Sequence, residues 1–188
     1  MVLKKRADGL ITGAGAGYWD DMVDVLRRTR TVVFPFVAGG DVTGIVTGQF
    51  IYGAGVAQGW EVNTDAQWSI ALGHVPADYL TFVSLKIYGV SEVDAADEMH
   101  LELSMYGAAS DEIFSTTPIS VTNKDSETTN MAADDIVYWK FIDTDADFGD
   151  LTRGDSLQIK AIYEGAVVPD SDTQAVLRYA LLEYTIDA

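Results

Sequence analysis

The sequence predicts an all-β protein, an antiparallel two-sheet sandwich of the jelly-roll type with a short N-terminal arm and helix. Three observations indicate this class. Apolar and polar residues alternate with a period of two through much of the chain after residue 30. Turn-forming residues recur about every 8–14 residues, which leaves room for about nine short strands. Helical spacing is confined to one N-terminal segment, so we expect almost no other helix.

The C-terminal third, from Asp134 to Ile186, reads as three strands joined by acidic turns. The earlier segment "EMHLELSMYG" shows the cleanest alternation in the chain. In the earlier segment, the residues expected to face inward are Met99, Leu101, Leu103 and Met105. In the first C-terminal strand, Val137, Trp139 and Phe141 share one face, opposite Ile136, Tyr138 and Ile142. In the second, Leu157, Ile159, Ala161 and Tyr163 share a face. Alternation rich in β-branched and aromatic residues is typical of antiparallel strands with one buried face.

The last strand is apolar on both faces. Strict alternation places Val176, Ala180, Leu182 and Ile186 on one face, and it places Leu177, Tyr179 and Leu181 on the other. A strand of this kind is covered on both sides within the domain or is buried against another subunit. We therefore predict that Leu177, Tyr179 and Leu181 lie in a subunit interface.

The first 30 residues form a separate unit in this interpretation, followed by a sandwich domain over residues 31–188. Residues 1–17 are expected to be a flexible or partner-ordered arm, and Tyr18–Arg28 has the spacing of a short amphipathic helix. The start is basic but lacks the apolar segment of a signal peptide. The side chains expected to anchor this region to a partner are Lys4, Lys5, Arg6, Tyr18 and Trp19.

Charge narrows the range of partners. The net charge is −17, yet residues 1–30 carry six basic and four acidic side chains, so the rest of the chain is more acidic still. Phosphate would be repelled by such a body, which disfavours nucleic-acid binding. No apolar run reaches membrane-spanning length, so no membrane partner is expected. The acidity fits either a salt-adapted source or an ordinary solubilising surface.

One acidic segment could bind a metal ion. The segment "DTDADFGD" presents Asp143, Asp145, Asp147 and Asp150, and carboxylates spaced in a loop can gather oxygen ligands for Ca²⁺. An EF-hand starting at Asp143 would require a glycine at position 148 and a glutamate at 154, and the chain has Phe148 and Gly154. A hairpin-loop calcium site and a solvated acidic turn both remain open, and no other cofactor is expected.

No catalytic constellation stands out, so the chain is not expected to be an enzyme. The two histidines, His74 and His100, lack a nearby set of ligand or acid–base partners in the sequence. Several aromatic residues could instead form a sugar-stacking surface, or they could be core or interface groups. These are Trp60, Trp68, Tyr88 and Tyr106.

A spacing pattern extends over residues 43–186. Its residues are Asp135, Val137, Trp139 and Phe141 in one strand, Leu151, Gly154 and Asp155 in a turn, Asp170 and Asp172 in a later turn, Glu183 and Tyr184 at the close, and "ALGHVPADY" upstream. This pattern resembles that of jelly-roll structural proteins of tailed viruses. The resemblance implies a capsid decoration, turret or fibre-base protein located in the virion. It also implies a homotrimer that docks on other virion proteins such as the major capsid protein, and the acidity suggests a halophilic host. The alternative is a carbohydrate- or receptor-binding β-sandwich module.

Overall fold

The structure is a computed structural model. It describes residues 4–5, 11–12, 28–40, 59–62, 66–91, 98–109, 117–128, 130, 132–142, 144–145, 148, 151–164 and 175–186. These residues form eleven strands and contain no helix. The strands are β1 (Lys4–Lys5), β2 (Ile11–Thr12), β3 (Arg28–Gly40), β4 (Trp60–Val62), β5 (Trp68–His74), β6 (Thr81–Ser91), β7 (His100–Ala108), β8 (Ser120–Asp125), β9 (Ile136–Phe141), β10 (Ser156–Tyr163) and β11 (Ala175–Ile186).

Nine of these strands form the sandwich, and every pair is antiparallel. One sheet has the order β3-β11-β6-β9, and we call it the front sheet; β4 also pairs with its strand β11. The other has the order β8-β7-β10-β5 and is called the back sheet. The first part of β3 pairs with β11 and its last residues pair with β5, so β3 passes from one sheet to the other. A register shift after Phe36, next to Pro35, marks the corner.

The strand order is that of a jelly roll. Each sheet has four principal strands, and the chain alternates between the sheets except at β7 and β8, which are consecutive and pair in the back sheet. The first and last strands of the sandwich, β3 and β11, lie side by side. This confirms the predicted all-β sandwich. The pairings β3–β11 and β5–β10 join segments far apart in the sequence, so the fold is dominated by non-local contacts.

The predicted inward face of β7 and of the residue before it is confirmed, because Met99, Leu101, Leu103 and Met105 are buried. In β9 the buried face is that of Val137, Trp139 and Phe141, and in β10 it is that of Leu157, Ile159, Ala161 and Tyr163. Unlike the inner faces of β7, β9 and β10, the inner face of β5 carries small residues. Phe34 from β3 fills the space that they leave. A Cβ atom added at Gly73 would overlap the Phe34 ring, so glycine is needed there for packing.

Contacts between the sheets nearly close the sandwich at its free edges, β8 and β9. The Trp139 indole on β9 donates its Nε1–H to the Met99 carbonyl oxygen at 2.7 Å, next to β7. The Glu127 N–H, just after β8, donates to the Tyr138 carbonyl oxygen at 2.8 Å. The edge of β9 is thereby partly covered, which limits strand addition at that position.

The N-terminal prediction is only partly covered by the structure. Residues 18–27 of the predicted helix lie outside the described residues, but Arg28 begins β3, so the helix cannot extend to Arg28 as predicted. Within the expected flexible arm, Lys4–Lys5 pairs with Ile11–Thr12 in a two-stranded ladder. The strand predicted around Thr43–Tyr52 also lies outside the described residues.

Candidate binding face

A β-bulge in β11 determines which of its side chains face outward. Leu177 pairs with Gly89, and Tyr179 pairs with Tyr88, the residue next to Gly89 on β6. Arg178 is therefore an extra residue in β11 with no counterpart on β6. A bulge of this kind turns the strand by one position. Leu177 and Ala180 both point into the core, and Arg178 and Tyr179 lie together on the outside.

The bulge corrects the predicted face of Leu177. Alternation grouped Leu177 with Tyr179 and Leu181, but Leu177 is 0% exposed and belongs to the chain's own core. Tyr179 and Leu181 do lie on the outer face of the front sheet and are partly exposed. Their predicted role in a subunit interface stays a prediction.

Three tyrosines form a row across this outer face, and we call them the tyrosine row: Tyr138 on β9, Tyr88 on β6 and Tyr179 on β11. They are direct cross-strand neighbours. The ring centroids of Tyr88 and Tyr138 are 5.7 Å apart and those of Tyr88 and Tyr179 are 5.1 Å apart, with interplanar angles of 23° and 29°. These distances indicate offset stacking, in which the rings overlap only in part. All three side chains are partly exposed, so the row presents aromatic surface to solvent.

Polar and charged groups lie beside the tyrosine row. Lys86 and Lys140 are direct cross-strand neighbours, and each lies two residues from the tyrosine on its own strand, Tyr88 on β6 and Tyr138 on β9. Glu183 on β11 lies 3.5 Å from Lys86 Nζ and accepts a hydrogen bond from the Ser84 hydroxyl at 2.8 Å. The face therefore combines an aromatic strip with a charged and hydrogen-bonding strip.

Exposed apolar side chains flank the same face. Val33 on β3 is 52% exposed and pairs with Leu181, and Ile136 at the start of β9 is 64% exposed. Scattered apolar residues are common on surfaces, but here they adjoin the three tyrosines. The face is thus more apolar than a surface that serves only to solubilise.

The aromatic residues singled out in the sequence are not brought together. Trp60 packs against the core and donates its Nε1–H to the Phe36 carbonyl oxygen at 2.9 Å. Trp68 and Tyr106 lie on the outer face of the back sheet, where the Lys160 amino group lies 5.1 Å from the Trp68 ring centroid. Only Tyr88 belongs to the tyrosine row. Its partners Tyr138 and Tyr179 were missed because their alignment with Tyr88 depends on strand pairing and on the bulge. Alternation along the sequence did place Tyr138 on the face opposite Val137 and Trp139.

The aspartate segment is only partly described. Asp143, Asp147 and Asp150 lie outside the described residues. Asp145 accepts hydrogen bonds from the Lys124 amino group and the Ile142 N–H, each at 2.9 Å. Among the described residues no group of three potential ligands is placed to hold a metal ion. The predicted Ca²⁺ site stays a prediction, and any such site that used Asp145 would compete with Lys124.

The contacts of Asp145 lower its pKa. Burial disfavours the charged carboxylate, but the hydrogen bonds from Lys124 and Ile142 and the positive charge of Lys124 together outweigh it. The pKa of Asp145 is therefore held below the ordinary value for aspartate. The carboxylate is stabilised as the partner of a lysine.

The histidines lie on the back sheet. His100 Nδ1 is 2.7 Å from Asp125 Oδ1, and His100 Nε2 is 3.2 Å from Glu164 Oε2. This cluster links β7, β8 and the end of β10. His74 lies at the end of β5, beside a shallow depression also lined by Leu72, Ser156 and Gln158. The two histidines lie in different rows of the back sheet, so they do not form a joint site.

The remaining anchor residues can be placed only in part. Lys4 and Lys5 form β1, and Arg6, Tyr18 and Trp19 lie outside the described residues. In the part of the chain that the structure describes, no helix is long and apolar enough to cross a membrane. Docking through this region stays a prediction.

Comparison with known proteins gives distant structural likenesses. No family model matches the chain, and no curated protein matches its sequence. Similar solved structures include the CBM36-1 domain of a multidomain xylanase from the hindgut metagenome of Trinervitermes trinervoides, with a TM-score of 0.47, 8% identity, and coverage of 81% of this chain and 96% of that one. Another is the xylan-binding module CBM15, with a TM-score of 0.43, 10% identity, and coverage of 85% and 100%. A third is the Eiger TNF of S. frugiperda, with a TM-score of 0.28, 16% identity, and coverage of 84% and 87%.

Proposed function

We propose that this chain is a carbohydrate-binding β-sandwich module and that the tyrosine row is the surface that contacts the sugar. The observation that carries the proposal is the alignment of Tyr138, Tyr88 and Tyr179 across three adjacent strands. A pyranose ring has C–H faces that pack on aromatic rings and hydroxyl groups that need hydrogen-bond partners. A tyrosine supplies both an apolar ring and a polar tip.

The position of the row on a sheet supports this proposal. Each tyrosine has a buried core residue next to it on its strand: Ile87 beside Tyr88, Trp139 beside Tyr138, and Ala180 beside Tyr179. The backbone that carries the rings is therefore fixed before a ligand binds, which lowers the entropy cost of association. A linear saccharide lying across the strands would meet the three rings in succession.

The neighbouring polar groups also support it. Lys86 and Glu183 lie on the same face and pair with each other, and the buried Ser84 hydroxyl holds the Glu183 carboxylate through a hydrogen bond. Directional groups of this kind give a binding site its specificity, because a sugar hydroxyl can both donate to Glu183 and accept from Lys86. An apolar strip beside a polar strip suits the two-sided chemistry of a saccharide.

Binding to a panel of soluble neutral and acidic polysaccharides, measured by affinity electrophoresis and calorimetry, tests the proposal. We expect at least one polymer to bind, and we expect Tyr88→Ala to weaken that binding about tenfold or more. The scale is taken from nucleic-acid bases, for which stacking on one aromatic side chain is worth about 1–3 kcal/mol. Tyr106→Ala, on the back sheet, is the matched control and should retain affinity. No binding to any polymer, or equal loss in both variants, would contradict the proposal.

A second candidate is the structural role in a tailed-virus particle, favoured by the apolar residues around the row. Val33, Leu181 and Ile136 extend the aromatic surface, and a face of this composition is also suited to contact with another copy of the chain. In this candidate the module assembles as a homotrimer in the virion and docks on the major capsid protein through residues 1–30.

Light scattering coupled to size-exclusion chromatography separates the two candidates. The structural role predicts an oligomer at micromolar concentration that Leu181→Glu dissociates, because burying a charge in an apolar interface is costly. Val121→Glu, at an exposed position of the back sheet, is the control. A monomer with unaltered sugar binding would leave only the carbohydrate-binding proposal.

A further inference from the structure

The tyrosine row is bordered by positive charge on a strongly negative protein. Lys86 and Lys140 lie opposite each other, and Arg178 is placed beside Tyr179 by the bulge. The whole chain has 12 lysine and arginine residues and a net charge of −17. Among the described outer-face residues of the front sheet, the basic side chains are Lys86, Lys140 and Arg178, and the acidic ones are Glu183 and, on β4, Glu61. The described residues of this face therefore carry a small net positive charge.

The placement of the two lysines is energetically unfavourable without a partner. Like charges that lie directly opposite each other on neighbouring strands repel. Glu183 lies 3.5 Å from Lys86, but within the described part of the chain Lys140 has no ion-pair partner. Arg178 is exposed. A bound anion would relieve this repulsion.

The outer face of the back sheet has the opposite balance of charges, with more acidic than basic side chains among the described residues. It carries Glu102, Asp125 and Glu164 against Lys160 and the histidine His100. The positive charge is thus concentrated on the face that also holds the tyrosine row. Since the rest of the molecule would repel an anionic polymer, this difference would direct such a ligand to the front sheet.

We propose that the ligand of the tyrosine row is an acidic polysaccharide, one whose sugar units carry carboxylate groups. This inference depends on the carbohydrate-binding function proposed above and specifies its ligand class. Residues two apart on a strand are separated by about 7 Å, so Lys86 lies about that distance from Tyr88 on β6, and Lys140 lies about that distance from Tyr138 on β9. The carboxylate of a uronic acid projects from the edge of the sugar ring. It can reach these cations while the ring face stacks on a tyrosine.

Two polymers that share a backbone provide the test. Polygalacturonate and its fully methyl-esterified form differ in charge, and calorimetry of the full chain should show about tenfold or more tighter binding of the acid form. Lys140→Gln should weaken polygalacturonate binding about fivefold, the effect of losing a favourable ion pair of about 1 kcal/mol. Lys160→Gln on the back sheet is the matched control and should leave the affinity unchanged. Binding should also weaken as salt is raised.

The other outcomes are distinguishable. Equal affinity for both polymers, or binding of neutral polymers only, would overturn the acidic-ligand inference and leave the carbohydrate-binding function intact. Polyglutamate binding as tightly as polygalacturonate would show that charge alone acts, which overturns the inference of a sugar ligand at this face. If no polysaccharide binds, both proposals fail.

Discussion

At the scale of single residues, burial and hydrogen bonding decide what a side chain contributes. Two serines show this contrast. Ser69, on the inner face of β5, is fully buried, and its hydroxyl has no hydrogen-bond partner among the described residues. Ser126, just after β8, is also buried, but its hydroxyl accepts from the Met99 N–H at 3.1 Å and donates to the Thr128 carbonyl oxygen at 2.8 Å.

Replacing these serines by alanine should therefore have different effects. Ser69→Ala should leave the free energy of unfolding unchanged or raise it by up to about 1 kcal/mol, because it removes a buried hydroxyl that lacks a partner. Ser126→Ala should lower it by about 1–3 kcal/mol, because it leaves the Met99 N–H without its acceptor. Urea unfolding of both variants measures the difference. Equal destabilisation would show that the Ser69 hydroxyl has a partner.

Asp145 gives a prediction about pH. Its pKa is below the ordinary value in the folded chain, so the ionised carboxylate stabilises the fold above the pKa of unfolded aspartate, about 3.9, and this contribution is lost as the pH falls through the folded pKa. In urea unfolding, Asp145→Asn should be less stable than the natural chain at pH 6, and the gap should shrink as the pH falls below 4. Lys124→Gln should also reduce the part of the unfolding free energy that depends on the ionisation of Asp145. A gap that is constant with pH would contradict the pairing.

At the scale of elements, the bulge in β11 has the largest effect on the outer surface. It places Leu177 inside while Leu181 lies outside, although their spacing in the sequence would put both on the same face of a regular strand. One inserted residue therefore changes which side chains can meet a partner.

The bulge can be tested by comparing two leucines. Leu177→Ala should destabilise the fold by about 2–5 kcal/mol, because it leaves a cavity in the core. Leu181→Ala should cost about 0.5 kcal/mol, as is usual for surface positions. Thermal or urea unfolding measures both values. Similar costs at the two positions would indicate that β11 pairs with β6 without the bulge.

The strands that the sequence predicts well are those with a regular period. The alternation of β7, β9 and β10 matches the buried residues because these strands pair without register shifts. β11 and β3 were harder to predict, since β11 contains a bulge and β3 passes between sheets at Pro35. Local periodicity carries no information about either feature, because both arise from pairing with distant strands.

At the scale of the whole molecule, the pairing of distant strands creates the candidate site. Tyr88, Tyr138 and Tyr179 are far apart in the sequence and meet only because β6 pairs with β9 on one side and with β11 on the other. The sequence therefore predicted Tyr179 as an interface residue and Tyr88 as a candidate for sugar stacking. It did not predict that the two side chains lie next to each other. The two sheets also differ in outer charge, which composition alone does not reveal.

Mapping of ligand contacts by nuclear magnetic resonance tests the central claim most directly. Trisaccharides of galacturonate, glucose and mannose would be added in turn to the isotopically labelled chain, and backbone amide shifts would be followed. We expect at least one of them to shift amides around Tyr88, Tyr138 and Tyr179 on the front sheet and to leave those around Tyr106 on the back sheet unchanged. Shifts confined to the back sheet, or no shifts with any of the three at millimolar concentration, would contradict the assignment of the tyrosine row as the binding surface.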